Sequence, residues 1–395
     1  MSDAVIIDAV RTPSGKRNGA LAGWHPVDLS ALVLRALVTR TGIDPALIDD
    51  VIWGCVTQTG EQAANVGRNA ALAAGFPEDV PGVTVDRQCG SSQQAAHFAA
   101  AAVASGQCDV VVAGGVESMS RVPMLVTMSQ GPGEPYGPSM RLRYDERLVD
   151  QGLSAEMVAA RWGLSRTVLD EFALASHERA AAAQDDGRFE TQIVPVPVRR
   201  AESGRGDGPD ETSTMVTSDQ GVRRGGSMDR LAALQPAFTD DGVVTAGNSS
   251  QISDGAAALL VTTGEKARAL GLRPMARFHT FALAGADPVI MLTAPIPATE
   301  KVLRRSRLRV EEIGAFEVNE AFACVPLAWL ARVGADPKAV NANGGAIALG
   351  HPLGASGARL MTTLVHHMAN NGIRYGLQTM CERGGTANAT ILELL

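Results

Sequence analysis

Short apolar runs of strand length alternate along the chain with longer stretches whose apolar residues recur at helical spacing. Ala4-Val5-Ile6-Ile7-Asp8-Ala9-Val10 reads as a buried strand and runs into a turn at Arg11-Thr12-Pro13-Ser14-Gly15. Leu29, Leu32, Val33, Ala36 and Leu37 predict a helix over 29–38. Asp44-Pro45 opens a short helix, 51–56 reads as a strand and 65–74 as a helix. Val83-Thr84-Val85 then leads into Asp86-Arg87-Gln88-Cys89-Gly90-Ser91-Ser92-Gln93-Gln94, and an alanine-rich helix over 95–105 leads out. Residues 109–115 form another buried strand, closing on Gly114-Gly115. Strands alternating with helices predict an α/β fold with a largely parallel sheet.

From 120 to 247 the pattern breaks. Helices are expected over 154–161 and 165–183, with one strand at 193–198, while 124–147 is rich in Gly, Pro, Met and Arg. Residues 202–229 are polar and glycine-rich and read, on composition, as a mobile surface loop or linker. Regular texture resumes with strands at 256–261, 275–284, 315–318, 378–381 and 389–392 and helices at 297–304, 327–333 and 357–368. The halves echo each other. Each opens on an apolar strand and has a glycine-bounded turn before a small-residue helix, at Cys89-Gly90-Ser91-Ser92 and at His351-Pro352-Leu353-Gly354-Ala355-Ser356-Gly357. Each closes on a strand ending in Gly-Gly, at 114–115 and 384–385. An internal duplication would set the two turns face to face.

Composition narrows the classes. At 395 residues the chain can bury a large core. Aromatics at 4% argue against stacking platforms for single-stranded nucleic acid, and a net charge of −7 without a basic run argues against a nucleic-acid arm. No apolar run approaches the ~18 residues of a membrane span. The N-terminus enters a strand directly, with no secretory pattern, and five cysteines at irregular spacing form no disulfide framework. A cytoplasmic protein with no metal and no bound cofactor is expected.

Cys89 sits at a strand-to-helix turn, where helix N–H groups favour thiolate. Ser91 and Gln94 are spaced as a capping box, and the small polar neighbours of Cys89 argue against deep burial. His351, flanked by glycines and followed by Pro352, is the best partner for it; no Lys-Ser/Thr follows 344–350, so a phosphate loop is rejected. Cys381 lies at the end of a buried strand, before Glu382-Arg383-Gly384-Gly385. Cys55, Cys108 and Cys324 have apolar neighbours and read as core. Asn319-Glu320-Ala321-Phe322 reads either as a helix cap or as a polar pair at a strand's C-terminal end, and 247–251 either as a plain turn or as hydroxyl donors to a ligand.

Seven stretches in order resemble the thiolase family, end to end: 11–15, Cys89-Gly90-Ser91, Thr245-Ala246-Gly247-Asn248-Ser249-Ser250, Asp254-Gly255-Ala256-Ala257, Pro295-Ile296-Pro297-Ala298, Asn319-Glu320-Ala321-Phe322-Ala323, and 343–359. The resemblance implies a duplicated thiolase fold of two mixed-sheet βαβ halves. Residues 1–120 with 248–270 would form the first half, 271–395 the second, and 121–247 an inserted loop domain covering coenzyme A. It implies thiolysis of a 3-ketoacyl-CoA by coenzyme A, bound as a substrate and not as a permanent cofactor. Cys89 would be the acyl-carrying nucleophile, His351 its base and an oxyanion donor, Cys381 the acid/base, and Asn319 the holder of an oxyanion water. Ser250, Arg223, Met291 and the Arg383 backbone N–H would meet the CoA ester. Family members are homo-oligomers, so a homodimer or homotetramer is expected.

Three positions depart from the family pattern. Arg383 stands where a glycine is usual, Asp150 where short-chain members carry a loop histidine, and Gln251 replaces a glycine. With Asp86–Gln94 these point to a degradative enzyme acting on larger acyl groups, steroid side chains included. A short-chain acetoacetyl-CoA thiolase, a ketoacyl synthase, and a CoA- or lipid-binding protein with little catalysis stand as alternatives.

Overall fold

The computed structural model describes residues 3–198 and 214–395. Residues 202–213 of the 202–229 tract lie outside them. Six residues after 213 the chain is already anchored: the Asp219 carboxylate takes two bonds from the buried Arg11 guanidinium, at 2.7 and 3.0 Å, and one from the Ser14 N–H. The described part of the tract is therefore tied at Asp219 to Arg11 and Ser14, which composition alone did not show.

The first half comprises β1 (Ala4–Arg11), α1 (Pro26–Thr41), β2 (Asp50–Gly54), α2 (Val66–Ala73), β3 (Gly82–Val85), α3 (Ser91–Ser105) and β4 (Val110–Ser118). Helices α4 (Gln151–Trp162) and α5 (Arg166–Asp185) follow, and β5 (Ser253–Thr263) returns to the sheet. The second half comprises β6 (Ala276–Gly285), α6 (Pro295–Ser306), β7 (Ala315–Val318), α7 (Cys324–Val333), α8 (Ser356–Asn371), β8 (Tyr375–Glu382) and β9 (Thr386–Leu394). The strands run in the order β7-β8-β9-β6-β1-β5-β4-β2-β3, and Gly15–Lys16 adds a short pairing to β5.

The expected duplication is visible in the ladder. In each half two parallel strands, β2–β4 or β7–β8, are followed by two antiparallel pairings, through β5 to β1 or through β9 to β6. Even the outer strand β3 has an echo, in a lone parallel bridge from Phe316 to Val340. The halves join where β1 meets β6 antiparallel, Val5 opposite Arg277 and Ile6 opposite Ala276. The glycine echo does not survive. Gly114 and Gly115 lie inside β4, whereas Gly384 and Gly385 turn the chain beyond β8 with φ of +85° and +78°.

Helices α1 and α2 cover the outer face of the first half, and α6 with α7 that of the second. Helices α3 and α8 pack on each other between the two half-sheets, and α8 touches strands of both. The core layer can be this thin because α3 turns alanine faces outward: Ala95, Ala96, Ala99 and Ala100 are all buried. Its polar face is matched across the gap. The Gln93 amide donates to Thr390 at 2.7 Å, and His97 bonds the same hydroxyl at 2.7 Å while stacking on Phe281.

At their N-terminal ends the two helices meet at backbone distance. A Cβ on Gly357 would lie 2.2 Å from the Gln93 nitrogen, and the Ala358 N–H donates to Ser92 Oγ at 2.9 Å. Since the clash is with backbone, a side chain there cannot be accommodated by a rotamer change. Gly357→Ala is expected to cost about 1–3 kcal/mol or more. Chemical denaturation checks this, and an unchanged midpoint would show that the helices can separate freely.

Candidate active site

Cys89 occupies the turn between β3 and α3. Gln88, just before it, is held at φ +48°, uncommon for a residue with a Cβ. Asp86 Oδ1 accepts from the Gln88 N–H at 2.7 Å and stabilises that conformation. The Ser91 hydroxyl takes the Arg87 N–H at 2.9 Å and donates to the Gln88 carbonyl at 2.6 Å. This use of Ser91 replaces the expected capping box: Gly90 is the N-cap, with no side-chain cap bond. The turn holds the cysteine in place, and the helix begins without help.

The small neighbours of Cys89 do not leave it open. The residue is 4% exposed, packed with Met119, Leu353, Leu360 and Met380. Burial pushes its thiol up to about 12, and the nearby Glu382 carboxylate adds to the shift. A hydrogen bond from the Gln151 side chain, at the start of α4, opposes it. Loss of hydration thus outweighs any pull from the helix N-terminus. Glu382 is close because Gly90 lets it be: a Cβ there would lie 2.0 Å from Glu382 Oε1. Burial also raises the Glu382 carboxyl, to about 7.

His351 is buried, and its pKa is lowered to about 3, first by burial and then by the Arg359 charge. Its Nδ1 lies 2.5 Å from the Ser356 hydroxyl, which donates onward to the Pro352 carbonyl at 2.8 Å. A hydroxyl has one proton, so Ser356 accepts from His351, and the imidazole carries its hydrogen on Nδ1. Nε2 keeps its lone pair and faces the Asn319 amide nitrogen at 3.4 Å. Asn319 caps no helix, since α7 starts at Cys324 with Ala323 as its N-cap. The residue is buried behind β7, and its side-chain oxygen has no partner among the described residues.

Cys381 is fully buried near the end of β8, in one apolar cluster with Met291, Ala321 and Ile347. Burial raises its thiol far above the ordinary range, and the nearby Cys89 raises it further. Two thiols this coupled do not ionise together. Cys89 thus neighbours Cys381 and packs on Leu353 of the His351 turn, His351 meets Asn319, and Met291 shares the cluster of Cys381. Ser250 lies alongside, its N–H donating to the Ala321 carbonyl at 2.9 Å. Arg223 stands apart, exposed, with its backbone N–H bonded to His177 Nδ1 at 3.1 Å.

The departures each find a partner. Gln251 Nε2 donates to the carbonyls of Gly221 at 2.9 Å and Ile347 at 2.7 Å, tying two loops together. Arg383 is outside the left-handed region that would demand a glycine, unlike Gly384 beside it. Its guanidinium pairs with Asp150 at 3.0 Å and reaches the Tyr136 hydroxyl at 3.4 Å. Ser356 and Gln151 were missed from sequence. Ser356 lies within the motif that carries His351, so its spacing was a usable signal; nothing local marks Gln151.

Family models describing the thiolase N-terminal domain and the thiolase C-terminal domain match residues 4–265 and 272–394. A protein named steroid 3-ketoacyl-CoA thiolase FadA6, from Mycobacterium tuberculosis, is 50% identical across 100% of this chain and 95% of its own length. A 3-ketoacyl-CoA thiolase from Bacillus subtilis is 43% identical, with 100% of both chains covered. Among solved structures, the Bacillus anthracis acetyl-CoA acetyltransferase superposes with a TM-score of 0.89 at 38% identity, covering 100% of this chain and 99% of that one. On the strength of two family models that together span nearly the whole chain, and of relatives matched from end to end, this protein is a member of the thiolase family.

Proposed function

We propose that the protein is a degradative acetyl-CoA C-acyltransferase that cleaves 3-ketoacyl-CoA by thiolysis. The observation that carries this reading is two neighbouring buried thiols beside a histidine whose unprotonated Nε2 accepts only a long bond, 3.4 Å, from the Asn319 amide. His351 Nε2 takes the Cys89 proton, and the thiolate attacks the 3-keto carbon. The new Nε2–H then donates to the developing oxyanion, with Asn319 as second support. The bond between C2 and C3 breaks, and the acetyl-CoA enolate takes the Cys381 proton. Coenzyme A next gives its thiol proton to the Cys381 thiolate and attacks the acyl group on Cys89. Cys89 leaves and recovers its proton from His351. Passing through a thioester replaces one hard step with two easier ones.

The loop segment 121–247 is assigned here to covering coenzyme A, between halves at 1–120 with 248–270 and at 271–395. Ser250, Met291 and the Arg383 N–H are assigned to the thioester end, and Arg223 to the nucleotide. Strand β3 ends the sheet with Val83 42% exposed, an edge suited to pairing with a second copy, so the working form is proposed to be a homo-oligomer. Five free cysteines suit a reducing, cytoplasmic setting. No described helix is long and apolar enough to cross a membrane.

The Bacillus anthracis structure favours one other reading, a short-chain acetoacetyl-CoA thiolase. Thiolysis rates separate the two. Longer 3-ketoacyl-CoAs should react faster than acetoacetyl-CoA, and equal or better turnover of acetoacetyl-CoA would overturn the degradative assignment. Intact-mass analysis should find an acyl adduct on the wild-type chain that Cys89→Ala abolishes; wild type without an adduct would point to a binding protein instead. His351→Asn should lower kcat by about 10²–10⁴. The neutral thiol–imidazole pair also has a pH signature. With Cys89 at about 12 and His351 at about 3, alkylation of Cys89 in the free enzyme should climb about tenfold per pH unit from about pH 6 to 9, without a plateau. An inflection near neutrality would mean that a thiolate–imidazolium pair already exists.

A further inference from the structure

We propose that Arg383, with Tyr136, determines specificity by receiving a carboxylate at the far end of the acyl chain. The preferred substrate is then a 3-ketoacyl-CoA whose acyl group is a dicarboxylic acid bound through one end. This rests on the thiolysis reading above and deepens it.

Arg383 stands two positions after Cys381, and its side chain is only 12% exposed. A guanidinium withdrawn from water is costly unless ionic partners replace the lost hydration. The partner in place is a poor one for that task. Asp150 is 73% exposed, so it remains largely hydrated while holding Arg383 Nη2 at 3.0 Å. An ion pair with so exposed a member contributes little. The remaining contact, Nε to the Tyr136 hydroxyl, is long at 3.4 Å. A guanidinium has five N–H donors in a planar fork, suited to bidentate capture of a carboxylate. Asp150 can swing into solvent and yield that fork at small cost. Tyr136 can turn its O–H toward the same anion.

The position puts this fork on the acyl side. Asp150 directly precedes Gln151, whose amide hydrogen-bonds the Cys89 thiol. The guanidinium and the nucleophile are thus reached from adjacent residues at one helix start. The anionic groups of coenzyme A are its phosphates, and the whole pantetheine arm separates them from the thioester. An anion that meets Arg383 while the thioester is at Cys89 therefore belongs to the acyl group. The backbone offers no other reason for the residue, since its conformation makes no special demand and a glycine would supply the same N–H. An aliphatic tail would strip water from the guanidinium and return no hydrogen bond. A terminal carboxylate would replace Asp150 with a better-placed, desolvated partner.

Thiolysis should be compared for 3-oxohexanedioyl-CoA and 3-oxooctanedioyl-CoA against 3-oxohexanoyl-CoA and 3-oxooctanoyl-CoA, which differ only in the end group. Wild type is expected to show a kcat/KM ratio favouring the carboxylated member by at least about tenfold at one length or both. Arg383→Gly should reduce that ratio by about 10- to 100-fold. Arg383→Lys, which keeps the charge but not the fork, should fall between, and Tyr136→Phe should lower the ratio by a few-fold. A wild-type ratio at or below one at both lengths overturns the proposal. So does a ratio unchanged in Arg383→Gly, even with both rates depressed, because the ion pair would then act only as a brace for the loop. Turnover of the monocarboxylic substrates with no preference leaves the thiolysis reading standing. No turnover and no Cys89 adduct with any of the four overturns both.

Discussion

The structure depends on two helices that touch backbone to backbone. Helices α3 and α8 start from the two chemistry-bearing turns, one carrying Cys89 and the other His351. Their N-terminal ends meet where the Gly357 backbone passes the Gln93 nitrogen too closely for any side chain. A shift of one helix would move one reacting group against the other. The two half-sheets hold the pair from both sides, and α8 contacts both of them. The duplication therefore does more than double the core. In the proposed reaction it lets one centre draw its nucleophile from one half and its base from the other.

Buried carboxylates fasten the loops around that pair. Glu117 accepts from the Val56, Thr57 and Gly354 N–H groups and from the Gln62 amide, all within 3.0 Å. The Gly354 bond ties the His351 turn to the first half. Glu320 accepts from Ser176, Asn341 and the Ile347 N–H, joining α5 to the loop before His351. Asp254 accepts from Ser118 and Ser120 where β4 ends. These acids serve hydrogen-bond donors rather than basic side chains. Charge-assisted bonds of this kind are short and directional, suited to holding irregular backbone still.

Much of the architecture was legible because its signals are local. The apolar runs located each long strand to within a few residues, and the 343–359 motif marked the second turn. What depends on distant residues was not legible. The Ser91 side chain serves the Cys89 turn, so its spacing to Gln94 suggested a cap that does not form. Glycines mark both 114–115 and 384–385 for different reasons, crowding inside a strand and a left-handed turn. The polarity around Cys89 suggested exposure, but the walls of its pocket come from Met119, Leu353, Leu360 and Met380, far away in sequence. Asp150 and Arg383 were each noticed as departures, and only the fold reveals that they face one another.

The Ser356 hydroxyl has a consequence for how protons travel. Its single hydrogen is committed to the Pro352 carbonyl, so it can receive from His351 Nδ1 but has nothing to return. The imidazole is therefore sealed on that side. In the proposed reaction a proton taken at Nε2 has no exit through the ring to the protein interior or to bulk water. It waits at the atom where it arrived and leaves toward the sulfur that supplied it. His351 then works as a store with one door, and each acyl transfer gives back the proton borrowed by the last. The traffic with the outside falls to Cys381, which hands one proton to the departing acetyl-CoA and collects another from the incoming thiol.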